Sequence, residues 1–122
     1  MFLILFVLND ETLLGEVLDA WEDAGVSGAT VMASTGIGRL RDHALLRDDI
    51  PLIPSLADLL REDHEELRHR TLFSVVPDEA TVERVVARTE AITSPLSNPN
   101  TGILAVLPVW KVYGLQPSGK KA

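Results

Sequence analysis

The sequence predicts one α+β domain made of two β-α-β units in tandem, with a long polar insertion between the units. Three observations predict it. Apolar runs of strand length recur at 2–8, 29–34, 71–76 and 103–107. The stretches after the first and third of these runs repeat apolar residues at helical spacing, and turn residues cluster where the chain must reverse. At 122 residues the chain is long enough for a single buried core without disulfides or metals to hold it.

Phe2 to Leu8 is continuously apolar, as expected of a strand covered on both faces. Asn9 or Asp10 is placed to cap a helix in which Leu14, Val17, Leu18, Trp21 and Ala24 share one side, and Gly25 is placed to end it. Ala29 to Ser34 is the second strand. The insertion, residues 40–69, shows no core pattern before Pro54; Ser55-Leu56-Ala57-Asp58 then resembles a capping box, and Leu56, Leu59, Leu60 and Leu67 predict a short helix. Thr71 to Val76 is the third strand, Pro77-Asp78 a turn and cap, and Val82, Val85, Val86 and Thr89 the buried side of a second long helix. Ser94 to Gly102 is dense in turn residues. Ile103 to Leu107 supplies the fourth strand, with a possible resumption at Val109 to Tyr113, and residues 115–122 read as a polar tail.

This order is the split β-α-β pattern of ferredoxin-like sandwiches, an antiparallel sheet with both helices on one face. Two helices cannot cover the other face as well, so its apolar residues are expected to be buried against copies of the same chain in a closed homo-oligomer.

Composition excludes several classes. The net charge of −7 argues against a nucleic-acid surface, which needs clustered Lys and Arg. Residues 1–38 hold no Lys or Arg, so Arg39 is the first positive charge. The apolar start lacks a basic flank and is too short to span a bilayer, so no membrane insertion is expected. The absence of cysteine fits a reducing, cytoplasmic setting. No Ser-His-Asp ordering or pair of buried carboxylates can be argued, so no enzyme is expected. His64 and His69 flank acidic residues, but five residues apart on a helix puts them about 140° from each other, which favours a solvated helix face over a metal site. His43 is isolated. Trp21 and Trp110 read as packing residues.

The most informative stretch is Gly28-Ala29-Thr30-Val31 running into Gly36-Ile37-Gly38-Arg39. A β-branched strand ending in Gly-x-Gly and a cation offers backbone N–H groups and positive charge to an anion, although the same glycines also make an ordinary turn. Asn98, Asn100 and Thr101 can likewise cradle an anion or form a turn tolerant of left-handed backbone. Lys111, the one lysine before the tail, reads as a solvated strand residue or a ligand contact.

On these residues the chain resembles the PII signalling-protein superfamily, from residue 1 to about 114 in element order. Gly28-x-Thr30-Val31 and Gly36-x-Gly38-Arg39 stand where that family carries its G-x-T-V and G-F-G-R stretches. The resemblance implies a homotrimer with adenine-nucleotide sites in clefts between subunits. It also implies a T-loop, here residues 40–69, that controls a partner protein. Thr30 would contact adenine; Gly36, Gly38 and Arg39 would lie along ribose and phosphates; Asn100, Thr101 and Gly102 would form the B-loop, with Lys111 as a remaining cation.

The departures are specific. Leu40 replaces the glutamine that helps the family hold magnesium and 2-oxoglutarate, and leucine cannot ligate. Ile103 stands where the family has a phosphate-binding lysine, and Gly114 and Gln116 where it has two arginines. Charge-assisted hydrogen bonds are about twice as strong as neutral ones, so loss of these three cations should weaken triphosphate binding, and Arg39 and Lys111 are left to serve a monophosphate or one carboxylate. The lone tyrosine is Tyr113, which excludes uridylylation of a loop tyrosine. The expected function is a regulatory protein sensing a small anionic, adenine-containing ligand, with no obligatory cofactor. The alternatives are a constitutive trimeric interaction module without ligand, or a metal-binding trimer of the CutA type using His43, His64 and His69.

Overall fold

The computed structural model describes residues 1–36 and 69–116. The elements are β1 (Phe2–Leu8), a 3₁₀ turn (Glu11–Leu13), α1 (Leu14–Asp23), β2 (Thr30–Ser34), β3 (His69–Val76), α2 (Glu79–Thr93) and β4 (Gly102–Pro108). The expected helix in the insertion, and with it Gly38, Arg39, His43 and His64, lie outside the described residues.

Local chemistry sets the helix boundaries. Asp10 Oδ1 accepts from the Thr12 N–H at 3.1 Å, so the chain enters α1 through a capped 3₁₀ turn. At the other end Gly25, at φ +108°, donates to Glu22 O, and Val26 donates to Trp21 O, both at 3.0 Å. This pair of bonds is a Schellman stop, in which glycine takes the left-handed position at no steric cost. Asp78 caps α2 by accepting from the Thr81 N–H at 2.9 Å and the Thr81 hydroxyl at 2.7 Å. These two bonds, the hydroxyl first, hold the Asp78 carboxyl below its ordinary value, with a smaller contribution from Arg84. Arg84 Nε also donates to Ala24 O at 3.0 Å and so ties α2 to the end of α1.

The four strands form one antiparallel sheet in the order β2-β3-β1-β4. This arrangement is compatible with a ferredoxin-like fold. Its register places Ile4, Phe6, Leu8, Leu72, Ser74 and Val76 on one face, where the apolar ones join Val17, Trp21, Val82 and Val85 of the two helices in a single core. One polar link crosses that core. The Trp21 indole N–H donates to Thr89 Oγ1 at 3.0 Å, and the Thr89 hydroxyl donates to Val85 O at 2.7 Å. Trp21 also packs on Phe6, with ring centroids 6.3 Å apart.

The opposite face carries Leu3, Leu5 and Val7 of β1, Phe73 and Val75 of β3, Met32 of β2, and Ile103, Ala105 and Leu107 of β4. None of these is among the fully buried residues, and Ile103 is 63% exposed. No helix of the described residues packs there, because α1 and α2 both join the core beneath the other face.

Two expectations are corrected. The chain does not resume a strand at Val109–Tyr113: β4 ends at Pro108, opposite Phe2 where β1 begins, and after one more bond, from the Val109 N–H to Met1 O at 3.0 Å, an irregular segment without a strand partner among the described residues follows. His69 is not on a solvated helix face either. It opens β3, two residues before the expected start, and is only 8% exposed. The acidic run that precedes it masked the strand's alternation.

Candidate functional site

The candidate residues divide into groups held by different parts of the sheet. Thr30 begins β2, which among the described residues lies at the edge of the sheet beside β3. Its side chain lies on the open face opposite Phe73 and is exposed. Four residues on, Ser34 ends β2 opposite His69. There the open face changes from apolar to polar. Ser34 Oγ lies 2.8 Å from His69 Nδ1 and 2.8 Å from Thr71 Oγ1, and 3.3 Å from the His69 carbonyl oxygen, to which it can donate. The hydroxyl can serve as donor to one neighbour and acceptor from another, so the cluster is satisfied with either tautomer of the ring. Gly36 lies over the same ring: a Cβ built on it would stand 3.4 Å from His69 Nε2.

These contacts join the two ends of the insertion. Ser34 precedes it and His69 follows it, and a hydrogen bond between their side chains sits at its base. On the other face of the sheet, Arg70 Nη2 pairs with Glu11 Oε1 at 2.8 Å and fastens the start of β3 to the 3₁₀ turn before α1. The root of the insertion is therefore anchored on both faces. Ser34 and Arg70 had no functional reading in the sequence, and His69 had only that of a solvated helix face or, in the CutA-type alternative, a metal ligand. The available signal was the alternation of His69, Thr71 and Phe73, which extends the strand pattern backward by one step.

The second group sits at the far edge. The turn before β4 has a backbone bond from Asn98 N–H to Pro95 O at 2.9 Å, Asn100 in the left-handed region at φ +63°, and Gly102 at φ +144°. A Cβ on Gly102 would collide with the Val7 carbonyl oxygen and come within 3.1 Å of Phe6 Cε1. Gly102 is thus demanded by the entry into β4, whatever else it does, and Asn100 is a residue that tolerates the left-handed backbone it has there.

The sheet order separates these groups. Gly102 pairs with Leu8, Leu8 with Arg70, and Arg70 with Ala33, so the turn and the β2 corner share one end of the sheet but opposite edges. Three strand spacings put them roughly 14 Å apart. Lys111 lies past the other end of β4, with Nζ 4.7 Å from the centre of the Trp110 ring. Within the chain the structure therefore brings Thr30 and Gly36 onto one edge, Asn100, Thr101 and Gly102 onto the other, and Lys111 near neither. Among the described residues no three His, Asp or Glu side chains converge in a group able to hold a metal, and no helix is long and apolar enough to cross a membrane.

No model of a known protein family matches the chain, and no curated protein matches it.

Proposed function

We propose that the chain is a PII-like regulatory protein, a homotrimer that binds an adenine nucleotide such as AMP, ADP or ATP in clefts between subunits. It signals to a partner protein through residues 40–69. The observation that carries this reading is the corner at the end of β2. The Gly28-x-Thr30-Val31 strand is an edge strand, it leads through Gly36 into the long insertion, and the insertion's far end at His69 is hydrogen-bonded back to Ser34. A ligand on that edge acts directly on the root of the loop. Because the two groups of candidate residues occupy opposite sheet edges, one subunit's Thr30, Gly36, Gly38 and Arg39 would face a neighbour's Asn100, Thr101 and Gly102, with Lys111 an outlying cation. Occupancy shifts the loop only to the extent that the ligand binds its two conformations unequally.

A thermal-shift screen with AMP, ADP, ATP, 2-oxoglutarate and divalent metals tests it. A ligand at a hundred times its Kd stabilises the folded state by about 2.7 kcal/mol. The expected result is a shift with an adenine nucleotide that Arg39→Ala removes, accompanied by changed hydrogen exchange in residues 40–69. No shift with any nucleotide at millimolar concentration would overturn the sensing reading.

A second reading, a constitutive trimeric module without ligand, is favoured by the steric need for glycine at 102 and the left-handed backbone of Asn100, which explain both as turn residues. A CutA-type metal site would need His43, His64 and His69 to meet, and the metals in the same screen address it.

A further inference from the structure

We propose that β2 is a detachable strand: it undocks from β3 as one unit while the rest of the sheet stays folded, and the Ser34–His69–Thr71 cluster is the catch that holds its insertion end. The inference goes beyond the proposed function, because it holds whether or not a nucleotide binds.

A strand is held in a sheet by its ladder and by burial of its side chains, and in β2 the second is nearly absent. Thr30, Val31, Met32 and Ala33 are all exposed, and Ser34 is half-buried. The register puts Val31 and Ala33 on the face that carries the core, opposite Leu72 and Arg70. Leu72 is fully buried there, yet Val31 is 37% exposed. β2 contributes no residue to the hydrophobic core or to the partly buried side chains packed on it, whereas Ile4, Phe6 and Leu8 of β1 are buried completely. Among the described residues one ladder, to β3, holds β2 in place. Segments with few buried apolar contacts open locally at a lower free energy than the whole domain unfolds.

Side-chain hydrogen bonds fasten the strand at both ends. The buried Ser74 hydroxyl donates to Gly28 O, two residues before β2 begins. At the other end Ser34 Oγ lies 2.8 Å from His69 Nδ1 and 2.8 Å from Thr71 Oγ1. Ser74, His69 and Thr71 all belong to β3, so each fastening joins β2 to the same neighbour. Closed, the cluster satisfies the nearly buried imidazole and the Thr71 hydroxyl through one serine; opened, water can replace that serine at both. The Arg70–Glu11 ion pair at 2.8 Å holds the start of β3 to the turn before α1, so β3 stays with the body when β2 leaves. Thr30 lies on the unit, and the insertion begins just beyond it. Whatever binds the β2 edge therefore acts at the root of the insertion; for a nucleotide, that consequence rests on the proposed function.

Native-state hydrogen exchange of the full chain, read amide by amide by NMR at one protomer concentration, tests the proposal. Successive N–H groups along a strand point to opposite neighbours. Over Arg70 to Phe73, β3 is flanked by both β1 and β2, so its amides alternate between the two. The β2-directed amides, with those of β2 itself, are expected to exchange at least about tenfold faster than the β1-directed ones, a period-two pattern that opening of the whole sheet does not give. Ser34→Ala strands the imidazole and the Thr71 hydroxyl, and should speed the fast set by roughly another tenfold while leaving the β1-directed set unchanged. Thr89→Val, which removes the acceptor of the buried Trp21 N–H, should do the reverse: it speeds the β1-directed set and leaves the fast set alone. Equal protection of the two sets in the wild type would show that β2 opens only with the sheet and overturn the proposal. An effect of Ser34→Ala that is absent, or shared equally by both sets, overturns it as well. Should Ser34→Ala fail to fold, the alternation in the wild type and its increase in Ser74→Ala, which removes the fastening at the other end, decide the matter. None of these outcomes depends on a nucleotide, so a failure here is distinct from the absence of a thermal shift that would overturn the sensing reading.

Discussion

Replacing Gly102 by alanine separates the structural role of this glycine from any role in ligand binding. Two costs add. At φ +144° a side-chain-bearing residue sits in backbone space that is essentially reserved for glycine, which costs on the order of 1–3 kcal/mol. The added methyl also meets the Val7 carbonyl oxygen, a backbone atom held in the β1–β4 ladder, and Phe6 in the core, so neither neighbour can simply swing aside. Overpacking of that kind costs roughly 1–3 kcal/mol more. The expected loss is about 2–6 kcal/mol, a large part of the stability of a small domain. Urea unfolding followed by circular dichroism, at one protomer concentration and without nucleotide, measures it. Gly28→Ala is the control: Gly28 has ordinary φ and no atom within 4 Å of a built Cβ, so its substitution should change stability by less than about 0.5 kcal/mol. A Gly102→Ala protein within 0.5 kcal/mol of wild type would refute the steric account and return Gly102 to the ligand.

Thr89→Val keeps the shape of the side chain but removes the acceptor of the buried Trp21 N–H, and should cost about 1–3 kcal/mol by the same unfolding assay. An effect below the measurement error would mean that the indole finds another partner. Asp78 should contribute to acid unfolding. Its folded-state pKa is held below the ordinary 3.8, so its stabilisation is complete above that value and is lost as pH falls through the lowered one. Asp78→Asn, which caps without titrating, should therefore be less stable than wild type near neutrality, with the gap closing in acid. A gap independent of pH would contradict this.

The helices and strands were legible because local patterns specify them. The apolar side of α1, its Gly25 stop and the Asp78 cap each rest on residues within a turn of one another, where propensity and hydrogen bonding act without the rest of the chain. β3 was read two residues short, because His69 and Arg70 are polar and become strand residues through partners distant in sequence, Ser34 and Glu11. The turn before β4 was visible as a cluster of Asn, Pro and Gly. The need for glycine at 102 was not, since it comes from the carbonyl of Val7 on the neighbouring strand.

The division is physical. Composition and periodicity set the element order, the acidic character of residues 1–90 and the shortage of helices to cover a four-stranded sheet, since these depend on residue type and spacing alone. Strand order depends on which segments pair across tens of residues, and it was the folded sheet that put Thr30 and Gly36 on one edge and Asn100, Thr101 and Gly102 on the other. Contacts between residues far apart in sequence likewise tied the base of the insertion at Ser34 and His69, and gathered both helices over one face of the sheet while Ile103 and Leu107 on the other stayed exposed.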